Sequence, residues 1–309
     1  MGSLLYELTG SIDPYFLQIL VNIGIAIILA LGLNVITGLT GQLSLGHAAF
    51  MSVGAFASAL LTIKTGLPFS VNLLLAGSLT ALVGVLIGYP ILRLTGDYLA
   101  ICTLGFAEIV KVVFLNLEIT NKALGLTVPA AKTSLPMPVV VWIWAIIAII
   151  AVTFVQNSRF GRALKAIRED EIAAESVGIN LTLYKLNSFA LGTFLAGIGG
   201  GLYAHFLSYI NPSDFSFLKS VDILSMVVLG GLGSVPGAVI GATVLAAAPE
   251  FLRFMSQYRM LVYGALLVFL MVFRPNGLLG GVNFVDLVLR KLGKKRQLPV
   301  CCGQKEELR

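Results

Sequence analysis

The run YFLQILVNIGIAIILALGLNVI, residues 15–36, holds 22 residues, of which only Tyr15, Gln18, Asn22 and Asn34 carry a polar group. About 20 apolar residues suffice for a helix to cross the hydrocarbon core of a bilayer. Barrel strands alternate apolar and polar side chains, whereas this run is continuously apolar, so it predicts a membrane helix. Helices and closed barrels are the two structures that satisfy every backbone group in lipid. Working outward, no formally charged side chain occurs between Asp13 and Lys64. Comparable runs cover residues 43–63, 69–92, 98–117, 139–155, 184–209 and 260–273, and a longer, interrupted one covers 221–249. The 309-residue chain is 57% hydrophobic and 12% charged, against about 25% charged in a soluble chain. So little charge cannot cover a soluble domain of this length, which argues against a cytosolic enzyme, a disordered regulator or a nucleic-acid binder. The expected fold is an all-α polytopic membrane protein with about seven full spans and one broken, re-entrant helical hairpin.

The charges that do occur are clustered. Residues 157–185 hold nine of them and residues 274–309 eleven. Neither segment interleaves aromatic residues with its bases, so nucleic acid is not an expected partner. Both read as cytoplasmic under the positive-inside rule. An even number of crossings must then separate them. The runs at 184–209 and 260–273 supply two, so residues 221–249 cross either twice or not at all. Their glycine-rich break, Gly230-Gly-Leu-Gly-Ser-Val-Pro-Gly237, suggests two half-helices that enter from the outer side and return to it. Irregular backbone at that depth is tolerated only where protein or a water-filled cavity surrounds it. Counting backward places residues 118–138 outside and 93–97 inside. The start of the chain falls outside if the first two runs each cross once. That start carries Glu7 and Asp13 and no basic residue, unlike a cleaved signal peptide. Cys102 lies in an apolar run, and Cys301 with Cys302 lacks metal-ligand spacing; the pair reads as inert thiols, with palmitoylation as the alternative.

Enzymatic chemistry is not expected. There is no GxxxxGK[ST] loop, no HExxH and no GxSxG elbow, and the two histidines, His47 and His205, are far apart. No metal site is expected. Three constellations remain. The first is the break from Gly38 to His47, whose Thr40, Gln42, Ser44 and His47 are polar groups in an uncharged region. They either line a substrate pathway, where freed amides meet a carboxylate, or only satisfy the broken backbone. This break and Gly230–Ser234 share a small-residue character, read either as a distant repeat or as two independent breaks. The second is Glu108 with Lys111, three residues apart and therefore on one helix face, where they are expected to pair. The third is the stretch from Asn157 to Asn180. Asn157 or Ser158 can cap a helix. Ala163, Leu164, Ile167 and Ile172 recur at helical spacing, and Gly178 ends or bends it. Such an amphipathic helix suits a cytosolic partner, or alternatively the lipid headgroups. Its acidic Glu169, Asp170, Glu171 and Glu175 weigh against a plain anionic-lipid anchor. The glycine pairs Gly84/Gly88, Gly197/Gly201 and Gly237/Gly241 favour close helix packing.

At these motifs the sequence resembles the M-type transmembrane permease subunit of bacterial ABC importers for branched-chain amino acids. The similarity runs from about Leu33 to Gly281. It is carried by GQLSLGHAAF (41–50), GDYLAI (96–101) with TLGF (103–106), the stretch 157–178, GGLGSVPGAVIGA (230–242) and RPNGLLG (274–280). The resemblance implies one permease domain over 1–281, with a cytoplasmic coupling loop at 157–183 and a basic cytoplasmic tail at 282–309. It implies a bacterial inner-membrane location and a cytoplasmic C-terminus. It also implies alternating access, an H-type second permease, an extracytoplasmic binding protein, and two ATP-binding subunits that carry ATP and Mg. This chain itself would hold no cofactor. Coupling is assigned to Arg159, Arg162, Arg168, Glu171, Ala173, Ala174 and Gly178. The pathway is assigned to Gln42, Ser44, His47, Gly231, Gly233 and Ser234. Two departures stand out. Ile172 occupies the position where the family's coupling pattern has an acid, with Glu171 one place early. TNKALGL (120–126) replaces the glycine-rich outer-loop motif. An ABC permease for urea, amides or another amino acid, or an ion-coupled secondary transporter, is the alternative reading.

Overall fold

The computed structural model describes residues 13–251, apart from 93, 95, 130–132 and 134, together with Gly264. The expected run at 260–273, the basic tail and Cys301 with Cys302 lie outside the described residues.

Ten helices order the described chain: α1 (Pro14–Leu33), α2 (His47–Thr65), α3 (Phe69–Ile91), α4 (Asp97–Asn116), α5 (Met137–Asn157), α6 (Arg159–Glu169), α7 (Glu171–Ser176), α8 (Leu181–Leu207), α9 (Phe217–Gly230) and α10 (Val235–Phe251). Among the described residues, six helices are long and apolar enough to cross a membrane, one of them Tyr15–Leu39, which is α1 with its extension. Their boundaries are set by local chemistry. Pro14 opens α1 and Pro138 opens α5 within the first turn, where the missing N–H would have no partner. Gly66, in the left-handed conformation at φ 59°, closes α2.

The 27-residue α8 is the axis of the bundle, about 40 Å long at 1.5 Å per residue. Its glycines admit neighbouring backbone. A Cβ on Gly197 would strike Thr80 of α3, and one on Gly200 would strike the Met51 carbonyl of α2. The other expected small-residue pairs also admit neighbours: Gly84 and Gly88 receive the side chains of Thr193 and Phe189, while Gly237 and Gly241 receive the backbone of Gly230 and Met226. Leu79, Leu82 and Leu86 on α3, and Ile146, Ile150 and Phe154 on α5, point outward as an exposed apolar band. A band of that kind is compatible with lipid.

The contacts fix the helix polarity. Gly54 and Thr62 of α2 meet Gly197 and His205 of α8, so these two helices run parallel. Gly77, Gly84 and Gly88 of α3 meet Ile198, Thr193 and Phe189, so α3 runs antiparallel to α8. One end of the bundle gathers Leu39, Leu92, Asn157–Asn180 and Gly231–Ser234; it is the basic end. The other gathers Gly66, residues 117–128 and Ser208–Ser216, tied by a two-stranded antiparallel pair, β1 (Leu126–Thr127) with β2 (Tyr209–Ile210).

The hairpin expected at 221–249 is present. Helix α9 descends to the basic end, turns at Gly231–Ser234 and returns as α10. It starts at Phe217, four residues before the apolar run. Two expectations change. The run at 15–36 does not stop at a simple break: α1 widens into one π-helical stretch, Asn34–Leu39. The run at 43–63 is helical only from His47. Residues 41–46 have no regular structure and thread into the bundle, with His47 lying about 14 Å above the first turn of α8 by helical rise. Their backbone is satisfied by protein, as that depth requires. Leu45 N–H donates to Thr103 Oγ1 at 3.1 Å and Ala48 N–H to Ser220 Oγ at 3.0 Å.

Candidate functional site

At the basic end, Ser158 accepts from Gly161 N–H at 3.2 Å and starts α6; Asn157 plays no capping part. Leu164 and Ile167 are buried, which sets the rotation of α6 about its axis. The helix does not continue through to Gly178. Asp170 interrupts it and caps α7, its Oδ1 accepting from Ile172 and Ala173 N–H at 2.9 and 3.0 Å. The break rotates α7 relative to α6. Ile172, expected on the buried stripe with Leu164 and Ile167, is 81% exposed, as is Val177 at 75%, while Ala174 is buried. Gly178 closes the segment at φ 85°.

Glu171 faces inward. Its Oε2 lies 2.6 Å from Lys185 Nζ, whose side chain is buried on α8. The acid displaced by one position therefore straps α7 to the bundle and leaves Ile172 outward. Removing one partner of an ion pair hurts most when the partner left behind is buried. Glu171→Gln, which strands the Lys185 ammonium, is expected to cost about 1–3 kcal/mol. Lys185→Met, which strands the half-exposed Glu171, should cost less. Thermal unfolding of the purified variants, with hydrogen exchange across 171–176, checks this order.

Arg168 is exposed, yet its guanidinium reaches across to the bundle. Its Nη1 donates to the Gly38 carbonyl at 2.6 Å and to the Leu232 carbonyl at 3.4 Å. These carbonyls belong to the two glycine breaks, which meet here. Gly233 N–H donates to Asn34 Oδ1 at 2.9 Å, Asn34 Nδ2 to the Ser234 carbonyl at 3.4 Å, and Gln156 Nε2 to the Gly233 carbonyl at 3.1 Å. Gly38 and Gly233 are in backbone contact. Gly38 lies in the last turn of the helical run, where carbonyls lack intrahelical donors, so it can accept the guanidinium. Arg159 and Arg162 are exposed, Arg162 donating to the Asn157 carbonyl at 3.4 Å. Ala173 is exposed beside Ile172.

The expected pathway residues divide into two groups. Gly231, Gly233 and Ser234 form the hairpin tip at the basic end. Gln42, Ser44 and His47 sit deeper, all buried, and no side-chain polar atom of the three has hydrogen-bond geometry with a partner among the described residues. The Leu29 carbonyl lies near the His47 ring, short of that geometry. These side chains thus do not serve to satisfy the broken backbone; Thr103 and Ser220 do that. His205 is held structurally, by the Gly201 carbonyl and Thr62 at 2.9 Å each. Glu108 and Lys111 pair at 3.5 Å, as their spacing predicts. No group of three His, Cys, Asp or Glu that could hold a metal occurs among the described residues.

Sequence reasoning passed over Lys219 and Asp222. They lie at the start of α9, beside a cavity of about 550 Å³ between α1, α9, α10 and the end of α8. The available signal was two opposite charges at a spacing of three inside an apolar hairpin.

Residues 15–271 match a family described as the permease component of branched-chain amino acid transport systems. The chain is 39% identical to the high-affinity branched-chain amino acid transport system permease protein LivM of Salmonella typhimurium, and 38% identical to LivM of Escherichia coli K12. Each match covers 82% of this chain and 68% of the relative. The permease protein LivH of Escherichia coli K12 is 36% identical over 47% of each chain. No solved structure matches the chain.

Proposed function

Because the chain belongs to the permease-component family of branched-chain amino acid transport systems, we propose that it is one membrane-spanning subunit of an ATP-driven importer that passes leucine, isoleucine and valine inward by alternating access. The basic end faces the cytoplasm on this reading, since four basic residues of the α6 segment lie there. Similarity to both M- and H-type permeases supports a pathway built from two related subunits. Two ATP-binding subunits, carrying ATP and Mg, dock beneath it. A binding protein delivers the amino acid to the opposite end.

The observation that carries this reading is the build of the 157–180 segment. It presents Ile172 and Val177 outward as an apolar docking face, while Arg168 and Glu171 tie the same segment to the bundle. A push on the exposed face reaches the two glycine breaks directly. A ligand biases such a switch only by its differential affinity for the two states, so ATP-driven closure of the docked subunits must engage one position of α6–α7 better.

Co-expression with the second permease, the two ATP-binding subunits and the binding protein should yield one complex that takes up leucine into ATP-loaded proteoliposomes. Uptake by this chain alone, driven by an ion gradient and without a bound ATPase, would overturn the importer reading. Gly178 offers a finer check. A side chain in its left-handed conformation costs about 1–2 kcal/mol, which is a factor of about 5–30 in population. Gly178→Val is expected to lower substrate-stimulated ATP hydrolysis by that factor, and Gly178→Asn by far less. Equal activity of the two variants would show that the turn plays no part in docking.

A further inference from the structure

Within the importer reading, the location and chemistry of the amino-acid site can be argued from one cavity. It holds about 550 Å³ between α1, the end of α8, α9 and α10, on the side opposite the basic end. Ligand cavities run from about 300 to 1,000 Å³, so a leucine-sized molecule fits with some water. The walls are mostly apolar: Ile25 and Leu29 from α1, Met226 from α9 and Leu245 from α10. Four residues with polar groups line it, Asn22, Tyr203, Lys219 and Asp222.

The two charges are in an unusual state. Lys219 and Asp222 are three residues apart on one helix, the spacing at which Glu108 and Lys111 pair at 3.5 Å. Yet they form no ion pair with each other, and neither has an ion-pair or hydrogen-bond partner among the described residues. Lys219 Nζ instead rests over the Tyr203 ring, 5.5 Å from its centroid, a contact that accommodates a cation without neutralising it. Ionised groups inside a membrane protein are costly unless paired, and they mark substrate or ion paths. A cation and an anion one turn apart on the same wall of a largely apolar cavity complement a ligand that carries both signs a few ångströms apart and an aliphatic remainder. An α-amino acid zwitterion is such a ligand.

We propose that this cavity is the transport site for the amino acid, with Lys219 facing the α-carboxylate, Asp222 the α-ammonium, and Ile25, Leu29 and Met226 enclosing the branched side chain. Asn22 supplies a further hydrogen bond. The placement also explains how occupancy reaches the far end. Helix α9 carries both charges near its start and ends at Gly230, beside the tip whose Leu232 carbonyl meets Arg168. One helix thus touches the substrate at one end and the ATPase-linked tip at the other.

The test uses the assembled transporter in phosphatidylglycerol nanodiscs, with Cys102→Ser, Cys301→Ser and Cys302→Ser and a reporter thiol at Met226→Cys. Saturating leucine is expected to slow maleimide labelling of that thiol at least tenfold. 4-Methylpentanoate and isoamylamine, each lacking one charge, should protect at least tenfold less well. Adding Asp222→Asn or Lys219→Met should abolish protection by leucine, while Asp222→Glu retains it. Met226→Trp, which fills the cavity and keeps both charges, should lower leucine uptake at least tenfold. Protection that survives both charge removals would overturn the proposal. So would the absence of protection in an assembly that still imports leucine, an outcome that leaves the importer reading intact. Protection by phosphatidylethanolamine in place of leucine would reassign the site to a lipid headgroup. An assembly that imports no branched-chain amino acid and shows no protection would remove both readings.

Discussion

Gly200→Leu is expected to leave no folded subunit in the membrane. Gly200 lies where α8 crosses α2, and an added Cβ would collide with the Met51 carbonyl oxygen, lie 2.9 Å from its carbon and 3.0 Å from Ala55 N. These are backbone atoms inside a helix and cannot rotate away. Three residues beyond Met51 on α2 the same seam continues, with Gly54 against the backbone of Gly197. Even a single methyl must therefore separate two helices along their length. Overpacking a core costs about 1–3 kcal/mol when side chains can adjust; here they cannot, so Gly200→Ala should lie near 3 kcal/mol. Leucine adds three carbons to that collision, against a total stability of about 5–15 kcal/mol. The sign is opposite to the usual one for a helical glycine, where alanine gains up to about 1 kcal/mol. Gly105 on α4 supplies the contrast, because a Cβ there meets nothing within 4 Å. Gly105→Ala should be neutral or stabilising by that amount. Monodisperse yield and thermal unfolding of the purified subunit measure both. A Gly200→Leu chain as stable as the parent would refute the seam.

The helical-membrane architecture was legible because the residues themselves carry it: a lipid-crossing helix must be apolar over its whole length. The hairpin at α9–α10 was legible for a different reason. Its glycine-rich break divides an apolar stretch too short for two full spans, whereas the run at 260–273 and the basic tail that parity counts lie outside the described residues. Periodicity could not place the segment 41–46, since its apolar residues look the same whether helical or extended. Its backbone is stabilised by Thr103 and Ser220, partners 58 and 172 residues away. The meeting of Gly38 with Gly233 was hidden in the same way. The similarity of the two breaks hinted at a common role, but contact across a bundle leaves no local pattern. Among the basic residues of α6, nothing in the sequence singled out Arg168. Its reach to the bundle results from burial of Leu164 and Ile167, which rotates the adjacent position toward the tip. Lys219 and Asp222 escaped notice because the apolar run begins at residue 221, between them, which separates two charges that share one cavity.

Arg168→Met should uncouple ATP hydrolysis from transport. The guanidinium is the sole side chain of α6 or α7 that bonds both glycine breaks among the described residues, through the Gly38 and Leu232 carbonyls. Hydrogen bonds from a charged donor contribute about 1.5–3 kcal/mol each. The 2.6 Å bond to Gly38 carries most of this, since the bond to Leu232 is long and exposed. Loss of one such bond shifts a two-state equilibrium by about 10- to 100-fold. Uptake of leucine per ATP hydrolysed should fall by at least tenfold, with the complex still assembled. Arg168→Lys should restore only part of it, because the shorter side chain does not carry its ammonium to the place where Nη1 meets both carbonyls. The same link can be cut from the other side. A Cβ on Gly233 would lie 2.6 Å from Arg168 Nη1 and 2.8 Å from the Gly38 carbonyl oxygen, so Gly233→Ala expels the guanidinium without touching α6. Residues that act through one contact are non-additive. Once Arg168→Met is present, Gly233→Ala should lower uptake per ATP little further, while the strain of its φ of 81° and its clash with the Gly38 carbonyl show instead as lower thermal stability. Additive losses would place the two residues in separate devices, and full coupling in Arg168→Met would mean that the docking segment moves the breaks through packing alone.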